Sequence, residues 1–151
     1  MTQREAAVRR QGHRLLQLGV ALYLATSIEG FFVEHLASPM LARSAHSLCA
    51  LVGTMFLVLG LVWPRLRLDA RTARIALWLL AYSGIAIVSA FSIGAIVGAG
   101  HATMPLAGAP QGSASQELAI ATVAYSSAPT GITAFLLILW GLRSPPDSRG
   151  D

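Results

Sequence analysis

Apolar residues fall in long blocks along this chain, and charged residues fall in short clusters between them. No Asp, Glu, Lys or Arg occurs from Ser44 to Pro64, from Ile75 to Gln116, or from Leu118 to Leu142. An earlier run, Leu15 to Val33, contains a single charge, Glu29. Each block reaches the roughly 20 residues a helix needs to cross a bilayer core of about 30 Å. The runs are continuous and lack the two-residue alternation of an outer-membrane barrel, and backbone groups in lipid must then be satisfied within helices. The pattern predicts an all-α, integral membrane four-helix bundle in one domain, residues 1–143. Its helices are expected at about 13–32, 39–63, 72–98 and 116–142, with a polar, Pro-rich, disordered tail over 144–151.

Local signals sharpen these boundaries. The polar pair Glu34 and His35 ends the first helix, Ser38 is an N-cap, and Pro39 suits a first helical position where a missing N–H costs nothing. Pro64 closes the second helix. Ala90, Gly94 and Gly98 stand at four-residue spacing in the third, and small residues so placed allow close helix approach in lipid. His101 to Gln116, with Pro105, Gly108, Pro110 and Gly112, reads as a loop. Pro129 removes a donor and frees the carbonyl of Tyr125, so the fourth helix is expected to kink, with Ser126, Ser127 and Thr130 hydroxyls as replacement partners.

A content of 54% hydrophobic and 12% charged residues, with mean hydropathy +0.60, belongs to the membrane class and leaves no room for a soluble domain. The pI near 10.2 is a topology signal, because ten of the eleven Lys and Arg residues, all arginine, lie before the first block, between the second and third, or after the fourth. Arg43 is the exception. The positive-inside rule therefore puts both termini in the cytoplasm of a multi-pass inner-membrane protein, with lipid and not nucleic acid as the partner of the basic face. The basic start followed by the Leu15 run is not read as a signal peptide, since the run is long for one and no small-x-small cleavage site follows. The single cysteine, Cys49, rules out an intramolecular disulfide.

His46 is the first candidate for chemistry, about seven residues and roughly 10 Å inside the second helix at 1.5 Å per residue. A histidine at lipid depth is a functional hypothesis by default, against the alternative of an interfacial imidazole bonded to a carbonyl. Arg43 lies at i−3, Cys49 at i+3, Ala50 at i+4 and Gly53 at i+7, so one face offers a cation, an imidazole and then small residues. A haem fits such a face, with iron on His46, the ring over Ala50 and Gly53, and propionates toward Arg43. The alternatives are a snorkelling Arg43 and a Gly53 used for packing. Glu29, a carboxylate near a helix end, is a second candidate, while Glu34 and His35 with His46 match no strong zinc signature. No nucleophile elbow, Walker or dinucleotide motif is present, and Gly94 to Gly100 is a packing stretch.

The order Gly12-His13, Glu29-Gly30-Phe31-Phe32, Ala45-His46-Ser47, Pro64, Thr72-Ala73-Arg74 and Ala128-Pro129 resembles the styrene oxide isomerase family over nearly the whole chain. The resemblance implies a four-helix membrane protein that forms a homotrimer and holds haem b between subunits, with His46 as the axial ligand. It also implies that ferric haem acts as a Lewis acid on a small hydrophobic epoxide, which opens and rearranges to a carbonyl by a 1,2-hydride shift. Two positions depart from the family. Its pocket asparagine, about two turns after the histidine, and its third-helix tyrosine are replaced here by Val52 and Phe91, neither of which donates a hydrogen bond. Tyr125, beside Pro129, is the candidate to replace the lost phenol. The sequence thus reads as a haem b-binding membrane protein that isomerises a small apolar epoxide to an aldehyde or ketone. The alternatives are a haem protein for electron transfer or gas sensing, and a cofactor-free accessory or transport protein.

Overall fold

The computed structural model describes residues 3–143. Four helices account for most of them: α1 Gln3–Glu29, α2 Pro39–Val62, α3 Ala70–Val97 and α4 Ala114–Gly141. Short 3-10 turns occupy Val33–His35, Trp63–Arg65 and Pro105–Ala107, and no strand is present among the described residues. The expected 144–151 tail lies outside them.

The start of α2 is as read: Ser38 Oγ accepts from the Leu41 N–H at 3.4 Å, and Pro39 occupies the first turn. Two other caps set boundaries slightly earlier than expected. Asp69 accepts from the N–H groups of Arg71 and Thr72 at 3.0 and 3.1 Å, and bonding by Thr72 above all holds its carboxyl below the ordinary range. Ser113 and Gln116 form a capping box that starts α4. Gly98, at φ 68, closes α3 in the left-handed region.

The first helix departs most from expectation. It begins at Gln3, far before His13, and closes at Glu29 instead of Phe32. Arginine is a good helix former, so Arg4, Arg9, Arg10 and Arg14 mark where the helix leaves the apolar layer and not where it starts. Glu29, Gln17 and Arg14 dilute its apolar run. By length and composition three helical stretches can cross a membrane, Pro39–Arg65, Ala70–Val97 and Ala114–Gly141, and α1 is not among them. The fourth helix is continuous through Pro129. Side-chain hydroxyls serve the carbonyls around the proline: Ser127 donates to Ala124 at 2.6 Å, and Thr130 to both Ser126 and Ser127 at 3.0 Å.

Two helical hairpins, α1 with α2 and α3 with α4, join along α2 and α3. The first hairpin is a backbone-to-backbone contact. A Cβ added to Gly12 would lie 2.8 Å from the Gly60 carbonyl oxygen, and one on Gly60 would lie 2.9 Å from that of Gly12. Gly19 and Gly53 repeat this relation at 2.8 and 3.2 Å. Only residues without a side chain permit such an approach, and close packing drives helix association in lipid. The small-residue stripe of α3 likewise serves contacts within this chain, since a Cβ on Gly94 would lie 3.0 Å from Leu41 Cδ2.

Trp63, Phe56, Leu15 and Leu80 fill a core toward the arginine-rich end, and Leu41, Ala90, Met104 and Ile120 fill a second toward the far end. Buried Gln11 ties three elements together, accepting from the Trp63 indole N–H at 3.1 Å and donating to the Ala70 carbonyl at 3.4 Å. Leu51, Leu61, Trp78 and Leu139 point outward, each more than 60% exposed. So large an apolar surface is stable against lipid and not against water.

Candidate functional site

The segment between α1 and α2 folds back over the start of α2. Gly30 N–H still bonds to Thr26 O at 3.0 Å, and the chain then tightens through Phe32 N–H to Glu29 O at 2.8 Å and His35 N–H to Phe32 O at 2.9 Å. Ser38 anchors the far side of this turn, its N–H donating to Ala95 O at 3.1 Å and its hydroxyl to Gly108 O at 3.3 Å. The result is a groove of about 470 Å³ whose lining includes Arg43, His46 and Ser47 of α2 with Phe31, Glu34 and His35 of the turn.

His46 is the residue of this groove with a buried polar atom that the protein leaves unpaired. Its Nδ1 is buried and has no hydrogen-bond partner among the described residues. Its Cε1 faces Gly30, where an added Cβ would stand 3.3 Å away, so the ring has just the room it needs. A buried polar atom with no partner costs roughly 1–3 kcal/mol, and a ligand that uses the imidazole is one way that cost is offset. Arg43 is exposed at the groove wall, placed to meet an anionic group.

The other candidates lie elsewhere. Gly53 does not line the groove: α1 covers it, with Gly19 O and Tyr23 Cδ2 each 3.2 Å from where its Cβ would be. Val52 is buried against α3, its Cγ1 2.7 Å from the Cβ position of Gly84. Phe91 packs half-buried on the far-end core, and Tyr125 is 64% exposed on α4. Structure thus brings Arg43 and His46 together, while Gly53, Val52, Phe91 and Tyr125 occupy four other surroundings. Glu29 reaches α3, accepting from Ser92 Oγ at 3.4 Å. Glu34 and His35 share the groove with His46, yet among the described residues no three His, Cys, Asp or Glu side chains are grouped to hold a metal ion.

For the haem that the resemblance implies, the residues fit in part. A half-buried imidazole whose Nδ1 has no partner suits an iron ligand, and Arg43 and His35 at the groove suit propionates. The clearing expected at Gly53 is filled by α1.

One residue that shapes the site went unread in the sequence. Glu117, buried in the first turn of α4, takes four backbone N–H groups: Oε1 accepts from Gly100 and Gly112 at 2.8 Å and from His101 at 3.3 Å, and Oε2 from Ala102 at 3.0 Å. It thereby fixes the loop whose Gly108 carbonyl holds Ser38. A signal existed, since Glu117 is the one charge between Ile75 and Leu142.

Fold and groove define a membrane-embedded helical bundle with a partly buried histidine site at one end. The profile of the family described as styrene oxide isomerase matches residues 11–143, and the chain belongs to that family. It is similar to hydroxylaminobenzene mutase HabB of Ectopseudomonas oleovorans, 38% identical over 137 residues that cover 90% of this chain and 84% of the relative. Hydroxylaminobenzene mutase HabA of the same organism is 26% identical over 129 residues, covering 85% of this chain and 96% of that protein. No solved structure matches.

Proposed function

We propose that this chain is an inner-membrane isomerase that rearranges a small aromatic N-hydroxylamine, with His46 as the ligand of a haem b. The 38% identity to a hydroxylaminobenzene mutase over 90% of the chain carries the substrate class. The unpartnered imidazole of His46 supports the cofactor.

The reaction is redox-neutral. An N–O bond breaks, the same oxygen forms a C–O bond to the ring, the ring carbon loses a proton and nitrogen gains one, so an aryl hydroxylamine becomes an aminophenol. When bound, ferric haem supplies a Lewis acid for the substrate oxygen. His46 would hold the group, Gly30 leaves its ring the room it needs, and Arg43 and His35 would meet the carboxylates. Phe31 and Val33 line the groove with apolar surface that keeps water from an electron-poor intermediate. The groove is open on one side, and a homotrimer with a second subunit against it completes the enclosure.

The family match favours a second reading, isomerisation of a small apolar epoxide to an aldehyde or ketone. Styrene oxide itself fits less well, because Val52 and Phe91 donate no hydrogen bond and sit in the two cores. Purified protein should show a Soret band and convert phenylhydroxylamine to an aminophenol, and His46→Ala should lose both. Haem binding without product from hydroxylamines or an epoxide panel would favour the electron-transfer or sensing protein, and a colourless, inactive preparation would favour the cofactor-free one. Wild-type spectrum and turnover in His46→Ala would overturn the ligand assignment.

A further inference from the structure

At the arginine-rich end a depression of about 370 Å³ opens between α1 and α3, lined by Ala7, Arg10, Gln11 and Arg14 of one helix and Arg74 and Leu77 of the other. Three arginines from segments some sixty residues apart in sequence line it, and no carboxylate does. Among the described residues none of Arg10, Arg14 and Arg74 has an ion-pair or side-chain hydrogen-bond partner. Arg71 and Arg74 moreover sit at the start of α3, where the helix dipole disfavours cations. An anion in the cleft would relieve that repulsion.

We propose that this cleft binds the headgroup phosphate of an anionic phospholipid. Bidentate guanidinium donors suit phosphate oxygens. The walls are held in place beforehand, because Gln11 is bonded to both Trp63 and the Ala70 carbonyl. Below the arginines the lining turns apolar at Leu77, and one residue on, the exposed Trp78 lines a separate apolar depression along α3, so lipid-facing surface adjoins the cleft, which suits a lipid and not a free ion. The lipid bridges two helices that otherwise touch little. This site is remote from the His46 groove and independent of the reaction proposed there.

The test reconstitutes the full-length protein into phosphatidylcholine nanodiscs with increasing phosphatidylglycerol, reading thermal stability and, by native mass spectrometry, retained lipid. Arg14→Gln and Arg74→Gln should each raise the half-saturating phosphatidylglycerol fraction about fivefold. Arg65→Gln and Arg67→Gln, exposed at the same end but outside the cleft, should change it less than about twofold. Equal effects at all four positions would mean diffuse surface attraction and overturn the site. Stabilisation by inorganic phosphate equal to that by the lipid would overturn the lipid assignment, as would retention of phosphatidylglycerol unchanged in both cleft variants.

Discussion

Glu117 shows how one side chain can set the shape of a site it does not touch. Its two oxygens take the four N–H groups that the loop after α3 cannot pair within a helix, and buried donors left without partners cost more than the bond itself is worth. Glu117→Gln keeps the size but turns one acceptor into a donor facing an N–H. The expected outcome is lower thermal stability and faster hydrogen exchange at Gly100, Ala102 and Gly112, with the α1–α2 pairing undisturbed. Protection at those amides equal to wild type would show that the loop is held by other means. Nothing in the sequence marks such a role beyond the isolation of the charge, because the partners are backbone groups that any residue carries. His46 was legible for the opposite reason, its side-chain chemistry being conspicuous in an apolar helix, whereas Gly53 was misplaced because spacing along α2 does not say which neighbour covers that face.

Between elements, the α1–α2 hairpin rests on the two reciprocal glycine pairs, seven residues apart on each helix. In an ordinary exposed helix, alanine would gain about 1 kcal/mol over glycine. Here a Cβ at Gly19 would stand 2.8 Å from the Gly53 oxygen, a fixed backbone atom, so the helices must separate, at a cost of typically 1–3 kcal/mol for overpacking. Gly131→Ala makes a useful contrast, since its Cβ would meet the Ser83 hydroxyl, the end of a short side chain that can rotate away at the cost of its bond to the Ser127 carbonyl, and no backbone atom. In detergent-titrated unfolding, Gly19→Ala and Gly12→Ala should lower stability clearly more than Gly131→Ala; equal effects would deny the zipper. Helix starts were legible at Ser38, placed two residues late at Asp69 and Ser113, whose caps went unread, and wrong at His13, where the helix already runs through the arginines before it. Charge reports where a chain leaves lipid, and hydrogen bonding decides where a helix stops.

For the whole molecule what matters is how α1 sits in the bilayer, since its polar residues leave it short of the apolar length of the other three. Its partner decides the matter physically. Gly12 and Gly19 of α1 face Gly60 and Gly53 of α2, an antiparallel contact along a helix that is itself long and apolar enough to span. Between those points α1 must occupy the same depth as α2, with Gln11 and the arginines at one end and Glu29 tied to Ser92 at the other. Together with the arginine distribution this predicts four crossings, with residues near Gln3 and near Arg143 on the cytoplasmic side and the Thr103 to Gln116 loop opposite. In a Cys49→Ser background, single cysteines at Gln3, at Arg143 and at the fully exposed Leu106 should label with an impermeant reagent from opposite faces, Leu106 alone reacting in intact cells with a permeabilised outer membrane. Labelling at Gln3 together with Leu106 would place α1 outside the membrane layer. Both the depth of the His46 groove and the lipid contact of the arginine cleft would then have to be redrawn.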